Sequence, residues 1–173
     1  MKTTLLSFLI LIASLSGAFA QSGFIGIFSK TVYPDCEFSD QSTGLVLAYI
    51  FHHNTPGATA AQFKVDWDPC MAMTYLSEAV TAPYIQIGTC AGPSANGCAI
   101  AYASCVAAPN MILTIRFFAS GLTPACCWMR VAADPSASPP RIYVTDCADP
   151  PNLLIARGGD AVINNDGSCP CNT

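Results

Sequence analysis

Charge is scarce in this chain: Lys and Arg number 7, Asp and Glu 11, and His 2 among 173 residues. Beyond the first twenty residues six basic side chains remain: Lys30, Lys64, Arg116, Arg130, Arg141 and Arg157. They are scattered, with no basic run or stripe, which argues against nucleic acid and anionic membrane as partners. Cys-x-x-Cys is absent, and with it the usual dithiol redox centre and the zinc knuckle. No Gly-x-Ser-x-Gly elbow marks a serine hydrolase; Gly92-Pro93-Ser94 matches only its first three places. There is no phosphate-cradling Gly-rich loop. No helix-period apolar stripe runs longer than two turns, so a helical bundle is excluded.

The start of the chain is different. Lys2 supplies a basic residue, Leu5 to Leu15 is almost unbroken apolar sequence, and Ala18-Phe19-Ala20 is a small-x-small site before Gln21. That order is the layout of a cleaved signal peptide over residues 1–20. The run is shorter than the ~20 apolar residues of a membrane span, and no comparable run follows. The expected mature chain, residues 21–173, has 6 − 11 = −5 formal charges and the length of one domain. It is expected to be secreted (extracellular, cell-surface or periplasmic), with no membrane insertion after signal cleavage.

All ten cysteines lie beyond that segment: Cys36, Cys70, Cys90, Cys98, Cys105, Cys126, Cys127, Cys147, Cys169 and Cys171. An even count in an exported chain reads as a disulfide framework. Cys90 and Cys98 flank a loop of Gly, Pro and Asn whose ends can meet, which predicts that they are bonded to each other. Cys127 is expected to pair with Cys147. Residues 127–133 and 141–146 are apolar runs joined by a Pro- and Ser-rich turn. A hairpin centred on Ala137 sets Ala133 against Arg141 and Cys127 against Cys147.

Short β-type runs separated by Pro, Gly and Asn fill the rest: residues 24–29, 44–52, 61–68, 73–79, 84–88, 98–105, 111–118, 127–133, 141–146, 153–156 and 161–164. The cleanest alternates Ala61, Phe63, Val65 and Trp67 with Gln62, Lys64, Asp66 and Asp68, the period of a half-buried antiparallel strand. This many strands in one domain's length predict an all-β, disulfide-stapled antiparallel β-sandwich, immunoglobulin-like or jelly-roll. Three stretches carry a resemblance: Gln62-Phe63-Lys64-Val65-Asp66-Trp67-Asp68-Pro69, Gly97-Cys98-Ala99-Ile100, and Leu113-Thr114-Ile115-Arg116-Phe117. Their layout, within residues 24–164, resembles that of cohesins, and the cysteine content resembles that of cysteine-rich exported bacterial proteins. The resemblance implies a sandwich fold; cohesins bind dockerin modules and related sandwiches bind carbohydrate. The ten cysteines depart from the cohesin pattern, and no binding residue is carried over.

Few residues invite chemistry. His52 and His53 are adjacent on a strand and so point to opposite faces, unable to share one site. Asp66 and Asp68 lie on one strand face beside Lys64, whereas a glycosidase sets two carboxylates across a cleft. Asp160, Asn164, Asp166 and Gly167 hint at a calcium loop but lack its closing glutamate. Trp67 falls on an apolar face and reads as core, and a sugar platform from Trp67, Trp128 and the tyrosines is the lesser reading. The sequence thus points to a non-catalytic exported binding or surface-structural module, needing no cofactor or metal, with an extracellular protein or glycan as partner. A small secreted carbohydrate-active enzyme or other hydrolase is the alternative.

Overall fold

The computed structural model describes residues 23–32 and 35–172; the signal segment and Gln21 lie outside them. Thirteen strands follow one another, with no α-helix among the described residues. They are β1 (Phe24–Phe28), β2 (Glu37–Phe38), β3 (Gly44–His53), β4 (Ala58–Trp67), β5 (Thr74–Val80), β6 (Ile85–Thr89) and β7 (Gly97–Val106). Then come β8 (Asn110–Ala119), β9 (Cys127–Ala132), β10 (Tyr143–Asp146), β11 (Leu153–Ile155), β12 (Arg157–Gly158) and β13 (Asp160–Ile163). The two-residue strands β2 and β12 were not legible, being too short to show a period. Both pair in parallel, β12 with β1 and β2 with β13, in an otherwise antiparallel fold.

Two sheets face each other. The smaller has the order β12-β1-β3-β8-β5; the larger, of eight strands, is built on β4. Period-two alternation decides which side chains lie between them. Ala61, Phe63 and Val65 of β4 are buried together with Ile100 and Tyr102 of β7, Met129 and Val131 of β9, and Ile25 and Ile27 of β1. Trp67 joins this interior: it stacks on Tyr75 and meets Phe117 edge-on, with centroids 6.2 and 5.5 Å away.

The strands beside β4 explain why the expected 127–147 hairpin does not form. Val65 donates its N–H to Cys90 O (2.7 Å), on the β7 side, while Asp68 donates to Trp128 O (3.0 Å) in β9. Residues an odd number apart on an extended strand point their backbone groups to opposite edges, so β9 lies across β4 from β7. β10 and β7 flank the same residues of β4, so β10 shares the β9 edge. The chain thus runs beside Trp67 to Lys64 as β9, leaves at 133–142, and returns beside Gln62 to Ala58 as β10. Only one bridge of the hairpin survives, Asp134 with Arg141, one residue off the expected register. Cys127 and Cys147 therefore sit at opposite ends of β4, on the order of 35 Å of strand apart.

Five disulfides take up all ten cysteines: Cys36–Cys171, Cys70–Cys127, Cys90–Cys98, Cys105–Cys147 and Cys126–Cys169. Cys90–Cys98 closes the β6–β7 hairpin, with Cα atoms 4.7 Å apart. Cys127 is bonded to Cys70 and Cys147 to Cys105, not to each other. The neighbours Cys126 and Cys127 diverge to separate partners, Cys126 with its φ at 62°.

Candidate interaction face

The residues that the sequence offers for chemistry do not come together. His52 points into the sandwich, 1% exposed, with its Nδ1 3.5 Å from the Tyr102 hydroxyl. Burial, and secondarily the charge of His53, lowers its pKa to about 4, so it is neutral at physiological pH. His53 faces the other way, its ring 5.1, 5.6 and 6.1 Å from those of Phe28, Phe51 and Phe24. Asp66 accepts from Lys64 (2.7 Å) and Asp68 from Arg130 (3.2 Å), two surface ion pairs rather than carboxylates facing across a cleft.

The suspected calcium loop is likewise spent on local bonds. Asn164 accepts from the Asp40 N–H (2.8 Å) and donates to Thr123 O (2.6 Å); Asp166 accepts from the Ser168 N–H and hydroxyl (3.0 and 2.6 Å). Asp160 is a strand residue paired with Arg130. Cys126, Asp166 and Cys169 approach one another, but both sulfurs belong to one disulfide and offer no thiolate to a metal. Ser94 lies exposed in the β6–β7 loop.

What the structure does assemble is a surface. On the outer side of the larger sheet, β6, β7, β4, β10 and β11 lie side by side, and their registers line up two rows. One row is Ile87, Ala99, Gln62, Tyr143 and Ile155; the next is Ile85, Ala101, Ala60, Thr145 and Leu153. Ile85 (66%), Ile87 (71%), Leu153 (62%) and Ile155 (57%) are exposed although each could have been inward had its strand been shifted by one residue. Four strand spacings, roughly 19 Å, separate the β6 pair from the β11 pair, with Ala60, Ala99 and Ala101 as a low floor between. No charged residue occupies either row. Exposed apolar surface arranged contiguously, rather than singly, marks interaction sites in soluble proteins.

The rims are rigid. Along β4 the face ends in Lys64, Asp66, Arg130 and Asp68, already paired among themselves. There the buried Asp134 accepts from the Gln62 side chain (2.8 Å) and from Ser136, N–H and hydroxyl (both 2.7 Å), pinning the 133–142 excursion. It lies directly over Gly97 (φ +90°), where a Cβ would fall 2.1 Å from its Oδ1. At the β6 side Glu78 of the smaller sheet accepts the N–H of Cys90 (2.9 Å) and of Ala91 (2.7 Å) and a bond from Gln86, so this hairpin is tied across the sandwich. At the opposite end the Cys105–Cys147 bridge crosses β4 beside Gly57.

The alternation Ile85-Gln86-Ile87 is visible in the sequence, whereas Leu153-Leu154-Ile155 is an unbroken apolar run with no period of two. Nothing local says that these pairs turn outward or that five strands carry them to one face.

No family model and no curated protein sequence matches the chain. Solved structures of cohesin modules do. A cohesin module from a family 33 glycoside hydrolase of Clostridium perfringens is 10% identical, with a TM-score of 0.57, covering 84% of this chain and 99% of that one. The seventh ScaB type I cohesin of Pseudobacteroides cellulosolvens is 13% identical (TM-score 0.54; 87% and 96% covered). The sixth cohesin of scaffoldin B from Acetivibrio cellulolyticus, solved with a Cel5 dockerin mutant, is 11% identical (TM-score 0.51; 84% and 99% covered). At such identities the likeness is one of fold: this chain is a cohesin-like, disulfide-stapled β-sandwich.

Proposed function

We propose that this protein is a non-catalytic exported binding module that docks a protein partner on the outer face of β6, β7, β4, β10 and β11. The observation that carries the reading is the pair of uncharged, register-aligned rows, with four aliphatic side chains each more than half exposed. A face of that kind is held in water at a cost and is the natural core of an interface rimmed by polar groups. Between Ile85 and Ile87 on one side and Tyr143 on the other, three strand spacings leave roughly 14 Å, room for a partner helix ~10–12 Å across. Cohesin-like folds support the same class of role, since one of the solved neighbours is held in complex with a dockerin. The signal layout of residues 1–20 and the five disulfides support export to an oxidising compartment.

The test is cross-linking of the oxidised mature protein in the secreted fraction of the producing cells, alongside titration against a panel of dockerin modules. Wild type and Ile87→Asp are compared. A partner bound at this face loses at least about 30-fold in affinity with the variant, the loss of one interface hot spot. Equal capture by both forms, or substrate turnover abolished by Asp66→Asn, would overturn the reading. Intact mass of the exported protein checks the start at Gln21.

A further inference from the structure

We propose that the Cys105–Cys147 disulfide is a reducible strap that sets the shape of this face, making docking sensitive to external dithiols; the inference rests on the docking role assigned above. Cys105 is the last residue but one of β7 and Cys147 directly follows β10; these strands flank β4 on opposite edges and carry Ala99, Ala101, Tyr143 and Thr145 of the two rows. Their bridge lies against Gly57, where an added Cβ would stand 2.8 and 2.9 Å from the two sulfurs. Backbone pairing is irregular at this same end. The β4–β7 register shifts between Ala58 and Ala60, and the β4–β10 register between Thr145 and Asp146. With both ladders interrupted there, the covalent strap holds β7 and β10 together over the end of β4.

Access distinguishes this bridge from the other four. Cys105 and Cys147 are both exposed. Each remaining pair buries at least one member: Cys36 (7%), Cys127 (0%), Cys169 (8%), and both Cys90 and Cys98. Thiol–disulfide exchange needs a thiolate to reach sulfur. A dithiol reductant attacks one sulfur, forming a mixed disulfide and releasing the other cysteine as a thiolate, which takes a proton. Its second thiol then displaces the first cysteine. Two electrons and two protons pass to the protein, which gains two thiols, and the reductant leaves as its own disulfide. The ends of β7 and β10 can then part, and the rows they carry lose their common plane.

The experiment treats the folded, oxidised protein with rising dithiothreitol, alkylates it, and maps the labelled cysteines; amide exchange is followed on the same samples. Cys105 and Cys147 are expected to be labelled before any other cysteine. Exchange in residues 101–106 and in Tyr143–Asp146 should then rise at least about tenfold while β3 and β8 stay protected. A different bridge opening first or together with this one overturns the proposal, as does selective reduction that leaves exchange in both segments unchanged. A Cys105→Ser/Cys147→Ser variant provides the same exchange comparison without reductant. Neither readout uses a partner, so failure of the docking reading is recognised separately, by the Ile87→Asp comparison.

Discussion

Protonating His52 should cost this fold measurable stability well above the pH at which its carboxylates titrate. The ring is 1% exposed and its pKa is lowered by burial from 6.5 to about 4. In the unfolded chain it regains its ordinary value. Between those two pH values the unfolded state binds more protons than the native state, so stability rises with pH across the window and falls on acidification. Two-state linkage from pH 7 to pH 5 gives a loss of about 2 kcal/mol from His52 alone. His53, also lowered by burial, acts in the same direction. The carboxylates with depressed pKa, such as Asp40 and Asp146, begin to contribute only as pH falls toward their unfolded value of 3.8, so pH 5 to 7 isolates the histidines. The assay is guanidinium unfolding of the oxidised protein at pH 7, 6 and 5, with His52→Gln as control. Wild type should lose stability steadily, and the variant should lose distinctly less. Equal or greater wild-type stability at pH 5 would refute the argument, as would an imidazole NMR titration of His52 centred near 6.5.

Three further outcomes follow from the packing. Burial pushes the Asp40 pKa up, but bonds from the Thr123 hydroxyl and the N–H groups of Gly121 (2.8 Å) and Thr123 (3.0 Å) outweigh it and hold the carboxyl below its usual range. Asp40→Ala strands those donors and should cost about 3 kcal/mol in denaturant unfolding at pH 7, a difference that shrinks as pH falls below 4. Gly57→Ala places a methyl against both sulfurs of the strap, so peptide mapping should find Cys105 and Cys147 incompletely bonded while Cys90–Cys98 stays intact. Trp67→Ala should lower stability by about 3 kcal/mol through the cavity left beside Tyr75 and Phe117, whereas a sugar-platform role would leave stability unchanged.

Much of the architecture was legible because it is written in local chemistry. The alternation around Phe63 and Val65 survives as the central strand β4, and the turn residues place most boundaries within a residue or two of those observed. The opposite orientation of His52 and His53, and the inward side of the half-buried Trp67, which packs against the core, follow from the same period of two. The Gly-, Pro- and Asn-rich loop between Cys90 and Cys98 lets its own ends meet, so that pairing needs no distant information.

The pairing of Cys127 is the contrary case. The runs on either side of Ala137 look like a hairpin when taken alone, yet β4 is the longer neighbour and takes both along one edge. Strand order is a competition among all segments for the same backbone donors and acceptors, and no window of sequence contains the competitors. The exposed face is decided in the same way. Ile85, Ile87, Leu153 and Ile155 carry the pattern of core strands, and the sequence by itself determines only that each pair shares a side. Which side meets water depends on the sheet that receives the strand and its register, because a one-residue slip exchanges the faces. Local periodicity and turn chemistry thus determined the strands, the sandwich class and the short disulfide loop; long-range pairing across β4 decided the remaining bridges and turned an apolar surface outward.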